Sequence, residues 1–94
     1  MNIHTKYNEI LKECSDIECD IMQSKNDGNH AFVRANLVAL GALAVEWRGR
    51  VISLRNVLAS KGYGTALRDL DEYIDKFRAF ETYTWETQGW LEQQ

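Results

Sequence analysis

The chain has 94 residues, 45% of them apolar and 27% charged, with a formal net charge of -3 at pH 7. That composition describes one small globular domain, and six glycines without a proline leave nothing from which to build a Pro-rich linker or a collagenous repeat. The longest uncharged apolar run, Leu37 to Val45, falls far short of the roughly 20 residues that cross a bilayer, so a transmembrane span is excluded.

A chain this short buries only about 60 to 65% of its unfolded surface, so association of chains is expected from size alone. The first ten residues hold no apolar stretch of the kind that marks a secretory leader, and a cytoplasmic location is expected. Cys14 and Cys19 lie five apart on one predicted helix, about 140° around its axis, too far apart to join in a disulfide. They are expected to be reduced thiols. With only His4 and His30 beside them and no C-x-x-C, no metal site and no cofactor is expected.

From the N-terminus, Ile3, Tyr7, Ile10, Cys14, Ile17 and Ile21 alternate at spacings of four and three, the mark of a helix with one apolar seam, which Leu11 and Met22 widen. This predicts a helix over about 3–24. Glu9, Glu13, Asp16 and Asp20 repeat on its outer side and form an acidic ridge, either a plain solvated face or a surface offered to a partner protein. The polar run from Ser24 to Asn29 is a turn, with Asn29 or Asp27 placed to cap the next helix.

The second helix, about 30–60, carries two seams. One is Val33, Leu37, Leu40, Ala44, Trp47, Val51, Leu54 and Leu58. The other, rotated by roughly 145°, consists of smaller residues: Ala31, Ala35, Val38, Ala42, Val45, Gly49, Ile52, Asn56 and Ala59. Two packing faces need two partners. Small side chains let a neighbouring axis come toward the short end of the 8 to 10 Å range. Gly41 and Gly49 each cost about 1 kcal/mol against Ala inside a helix, which suggests close packing beside them.

Lys61 to Thr65 interrupts the pattern, with Gly62 or Gly64 suited to a left-handed C-terminal cap and Thr65 to the following N-cap. The third helix is predicted over about 65–92, with Leu67, Leu70, Ile74 and Phe77 at its core and Ala66, Tyr73 and Phe80 widening the stripe. Beyond Phe80 the period is lost. Tyr83, Trp85 and Trp90 then stand near the C-terminus, where a three-helix core has few positions left. Trp and Tyr are enriched at interface hot spots, so these three either pack on the neighbouring helices or mark a partner surface. The expected fold is an all-α, three-helix protein with a long antiparallel helical hairpin, assembled as a helical-bundle dimer.

Charge is unevenly spread: residues 1–28 sum to -3, residues 29–61 to +4 and residues 62–94 to -4. The plain reading is that the basic middle helix pairs with its acidic neighbours, each exposed pair being worth about 0 to 1 kcal/mol. A sharper reading uses Arg34, Arg48 and Arg55, which share a register and could hold a phosphate or carboxylate. Nucleic acid is a poor fit to a chain of pI ≈ 5.3.

Catalytic signals are thin. His4 lies at a chain end and His30 at a helix start, where the helix dipole disfavours the imidazolium. The turn Lys61-Gly62-Tyr63-Gly64-Thr65 lacks the phosphate-loop spacing and any preceding strand. Glu13 with Asp16, and Asp69, Glu72 and Asp75, have the helical spacing by which all-α magnesium-dependent nucleotide pyrophosphohydrolases hold their metal, but the paired E-x-x-E and E-x-x-D motifs are missing. The leading expectation is therefore a non-enzymatic protein-binding or inhibitory module, with that enzyme and an anion-binding module as alternatives. The partner is expected to be another protein, with a second copy of the chain beside it.

Overall fold

Apolar residues at alternating spacings of four and three draw the chain into helices, and the computed structural model, which describes residues 3–94, contains three: α1 (Ile3–Asn26), α2 (His30–Ser60) and α3 (Gly64–Glu92). No strand occurs among the described residues. The second helix ends where the sequence predicts, the first runs two residues further, and the third starts one residue earlier.

Both turns use the same device. Gly28 adopts φ 72° and Gly62 φ 81°, a left-handed conformation that a side chain would strain. In the first turn the Asn29 amide donates to the Ser24 carbonyl and the Gly28 amide to Lys25. In the second, Tyr63 donates to Leu58 and Gly62 to Ala59. These paired bonds are Schellman caps, and they satisfy carbonyls that the helix itself leaves open. The residue after each glycine then caps the next helix. Asn29 does so with its side-chain oxygen, accepting from the Phe32 amide at 3.2 Å. At the second turn the cap is Tyr63, which makes no side-chain cap bond. Thr65 therefore does not cap α3: the Schellman bonds close the turn so tightly that α3 has begun before Thr65 is reached.

The first seam of α2 lies in the core, with Val33, Leu37, Leu40, Ala44 and Val51 buried and Trp47, Leu54 and Leu58 half-buried. Tyr7, Ile10, Cys14 and Ile21 meet it from α1, and Leu70, Tyr73, Ile74 and Phe77 from α3. Helix α2 packs on both of its neighbours, whereas α1 and α3 meet each other only sparsely. The protein is accordingly long and flat, 50 × 23 × 15 Å, and its radius of gyration of 15.3 Å exceeds the roughly 13 Å of a compact 100-residue domain.

Past Phe77 the buried line of α3 continues through Glu81, Thr84, Thr87 and Leu91. These polar residues keep the helical period that the aromatic residues lose, and α3 holds to Glu92. Glu81 reaches across to Arg48, and Arg55 Nε lies 2.5 Å from an Asp71 carboxylate oxygen. Residue number thus rises along α2 as it falls along α3.

The second seam of α2 has a different fate. Ala31, Ala35, Val38, Ala42, Val45 and Gly49 are exposed and Ile52 is half-buried. A Cβ added at Gly41 or Gly49 would meet nothing within 4 Å. The close packing that these glycines suggest is therefore not made inside the chain, because α1 and α3 both lie along the first seam and none of the described helices covers the second.

Candidate functional site

Helical geometry places the predicted residues on separate surfaces. Glu9, Glu13, Asp16 and Asp20 all lie exposed along α1. Asp16 is met by Lys12 at 3.2 Å, an exposed pair one turn apart; the other three acids make no ion pair among the described residues. The result is a ridge of negative charge with one partial neutralisation.

The three arginines of the basic helix do not act together. Arg48 donates to both oxygens of Glu81, with Nη2 to Oε1 at 3.1 Å. The Arg48 side chain keeps 28% of its exposure and Glu81 only 6%, so water is largely replaced by the forked guanidinium as the partner of this carboxylate. Arg55 is held by Asp71. Arg34 stands exposed at the other end of α2, without an ion pair among the described residues.

The aromatic residues also divide. Trp90 is half-buried, with His30 edge-on at 5.3 Å and the Lys25 ammonium 4.9 Å above its ring. Tyr83 is half-buried, and its hydroxyl is enclosed with no hydrogen-bond partner of good geometry. Burial pushes the Tyr83 phenol up; Thr87, one turn on, eases this slightly, and Glu18 and Cys19 reinforce it. Trp85 is 68% exposed.

Trp85 joins a surface that the separate motifs did not reveal. Helix α1 marks one side of the α2–α3 pair: Tyr7 stacks edge-on against Trp47 of α2 at 6.1 Å and against Tyr73 of α3 at 5.1 Å. At 100° per residue, Val45 lies about 160° around α2 from Trp47, and Trp85 about 120° around α3 from Tyr73. Both therefore face away from α1. The ion pairs of Arg48 with Glu81 and of Arg55 with Asp71 set Val45 level with about residues 81–84 of α3, within about a turn of Trp85. Val38 is 74% and Val45 50% exposed, and with Trp85 they lie on the side away from α1, while Ile52 is half-buried against the core. The signal was present in the second seam of α2, but the contribution of Trp85 depends on the pairing register.

For chemistry the surface offers little. Cys14 is sealed in the core, and burial raises its thiol to about 11, with Glu13 and Glu18 adding to the rise. Cys19 is exposed. His4 Nδ1 lies 3.0 Å from the Tyr73 hydroxyl. Among the described residues no three His, Cys, Asp or Glu side chains converge as metal ligands: Glu13 and Asp16 find no third carboxylate, and Asp69, Glu72 and Asp75 do not gather at one point. A groove of about 440 Å³ runs between α1 and α3, lined by Leu11, Ala79 and Phe80 with Lys12, Glu18 and Lys76. None of the described helices is long and apolar enough to cross a membrane. No family model matches the sequence, and comparison with curated proteins and with solved structures finds no significant match.

Proposed function

We propose that this chain is a non-enzymatic protein-binding or inhibitory module, built on an antiparallel α2–α3 hairpin that α1 braces on one side, and that it works as a homodimer. The observation that carries the reading is the exposed strip of Val38, Val45 and Trp85. Large apolar side chains grouped on one face of a small protein mark an interaction surface, and a tryptophan at the middle of such a face is a common hot spot. The acidic ridge of α1 lies on a different side and supplies charge for steering and selecting a second, basic partner.

The arginines support this reading over free anion binding. Arg48 and Arg55 already hold carboxylates, which leaves Arg34 without a second guanidinium for bidentate recognition.

Affinity capture from a lysate of the source cells tests the proposal. The wild-type chain is expected to retain a discrete protein at a fixed ratio. A triple charge reversal, Glu9→Lys with Glu13→Lys and Asp20→Lys, is expected to release it, while helix content stays constant by circular dichroism. Val45→Arg tests the apolar strip in the same assay. Retention that neither variant changes would refute the reading. Turnover of a nucleoside triphosphate with magnesium that is lost in Glu72→Gln would replace it with the enzymatic alternative.

A further inference from the structure

Three residues of α1 and two of α2 enclose a pocket that the proposed binding surface does not use. Ile3, Lys6 and Tyr7 stand three and four residues apart on α1, and Trp47 and Arg50 three apart on α2, so each set shares one face of its helix and the two faces meet. The pocket measures about 250 Å³ and lies on the α1 side of α2, away from Val45. It draws on none of Arg34, Arg48 and Arg55.

Its charge is one-sided. The Lys6 ammonium lies 5.6 Å and the Arg50 guanidinium 4.5 Å from the centre of the Trp47 ring, so the two cations are at most about 10 Å apart. None of the lining residues is acidic. Lys6 is half-buried and makes no ion pair among the described residues. Arg50 pairs with Glu46 at 2.7 Å, but that exposed contact engages Nη2 alone and leaves Nε and Nη1 to donate elsewhere.

Tyr7 supplies a third donor. It is only 6% exposed, and its hydroxyl makes no hydrogen bond among the described residues. Burial pushes the Tyr7 phenol up, Arg50 draws it part of the way back and Tyr73 adds to the rise, so the hydroxyl lies within the field of the guanidinium. A buried polar group without a partner is uncommon, and the pocket gives this one room for a partner.

We infer that the pocket binds a small aromatic phosphate monoester, its phosphate held by Lys6, Arg50 and the Tyr7 hydroxyl and its ring against Ile3 and the Trp47 indole. Such a phosphate carries a charge of about -1.5 to -2 at pH 7, which balances two cations where a carboxylate balances one. Arg50 meets its oxygens with a planar fork and Lys6 with a mobile point charge. Apolar and aromatic walls call for an apolar body. The volume lies just under the roughly 300 Å³ at which pockets for drug-sized ligands begin, which limits that body to about one ring. The inference goes beyond the protein-binding role and does not depend on it.

Titration of the isotope-labelled chain with phenyl phosphate, followed by NMR, tests the site. The Trp47 indole N–H resonance is expected to shift and to saturate with a Kd of about 1 mM. Lys6→Gln and Arg50→Gln are each expected to raise that Kd about 10-fold, because each removes one charge-assisted hydrogen bond, and Tyr7→Phe about 5-fold. Lys12→Gln makes the same charge change on α1 outside the pocket and is expected to leave Kd unchanged. No saturation by about 10 mM phenyl phosphate, or equal losses in Lys6→Gln and Lys12→Gln, overturns the inference. Inorganic phosphate that binds as tightly as phenyl phosphate also overturns it, since the ring then contributes nothing, and so does benzoate of equal affinity, since the second charge then contributes nothing. Capture of a partner protein through Val45 is untouched by any of these results, so the two proposals fail separately.

Discussion

Removing one member of the Arg48–Glu81 pair provides a quantitative test of the α2–α3 contact. Breaking a buried ion pair from one side costs about 3 to 5 kcal/mol, mostly because the remaining charge is stranded. Glu81 keeps only 6% of its side-chain exposure and Arg48 28%, so the two truncations should differ. Arg48→Met preserves the stem and strands a carboxylate with little access to water, and is expected to cost about 3 kcal/mol. Glu81→Leu strands a guanidinium that can turn toward solvent, for about 2 kcal/mol. The double variant replaces both by apolar groups and is expected to lose less than either single change. A domain of this length has a total stability of about 5 to 14 kcal/mol. The larger loss therefore corresponds to roughly 12 to 24 °C in Tm, at about 4 to 8 °C per kcal/mol. Thermal and urea unfolding by circular dichroism, at one fixed protein concentration because association shifts apparent stability, measures all four corners of the cycle. Single variants that each cost under about 1 kcal/mol, or effects that simply add, would mean that Arg48 and Glu81 are not coupled as a buried pair.

Three further outcomes follow from the same structure. Tyr63→Asn gives α3 the side-chain cap that α2 has in Asn29 and is expected to raise stability by about 1 kcal/mol in urea unfolding. Gly49→Ala is expected to gain about 1 kcal/mol in the monomeric Val45→Arg background, where the added methyl meets open space, and to weaken association when placed in the otherwise wild-type chain. The folded-state thiol of Cys14 titrates near 11 against an ordinary 9.0. The unfolded chain therefore gives up this proton first, and stability should be intact below pH 9 and fall between about pH 9 and 11, by at most ~3 kcal/mol. The raised phenols of Tyr7 and Tyr83 act in the same direction at higher pH. Cys14→Ala is expected to flatten the lower part of that fall, and Cys19 should react with a thiol reagent well before Cys14.

The apolar period made most of the fold legible. Three helices and their main seams follow from alternating spacings of four and three, and Asn29 and Gly62 follow from cap chemistry. The C-terminal third was harder to read because its core line passes through Glu81, Thr84 and Thr87, and a pattern of hydrophobicity does not register polar residues that are buried with their partners. Thr65 looked like a cap by residue type, yet the Schellman bonds at Gly62 fix the turn geometry first. Gly41 and Gly49 pointed to a close neighbour, but a helix has no way of telling from its own sequence whether that neighbour belongs to the same chain. The candidate surface was half visible: Val38 and Val45 lay in the second seam of α2, while Trp85 joins them only through the register that Arg48 and Glu81 set between the helices.

Sedimentation equilibrium of the untagged chain, followed from about 1 to 300 µM because interfaces span a wide range of affinity, bears most directly on the uncovered side of α2. The mass is expected to rise with concentration to 21.8 kDa, twice the 10.9 kDa chain, and to stay at the single-chain value for Val45→Arg at unchanged helicity. A wild-type chain that stays at 10.9 kDa throughout would contradict the homodimer.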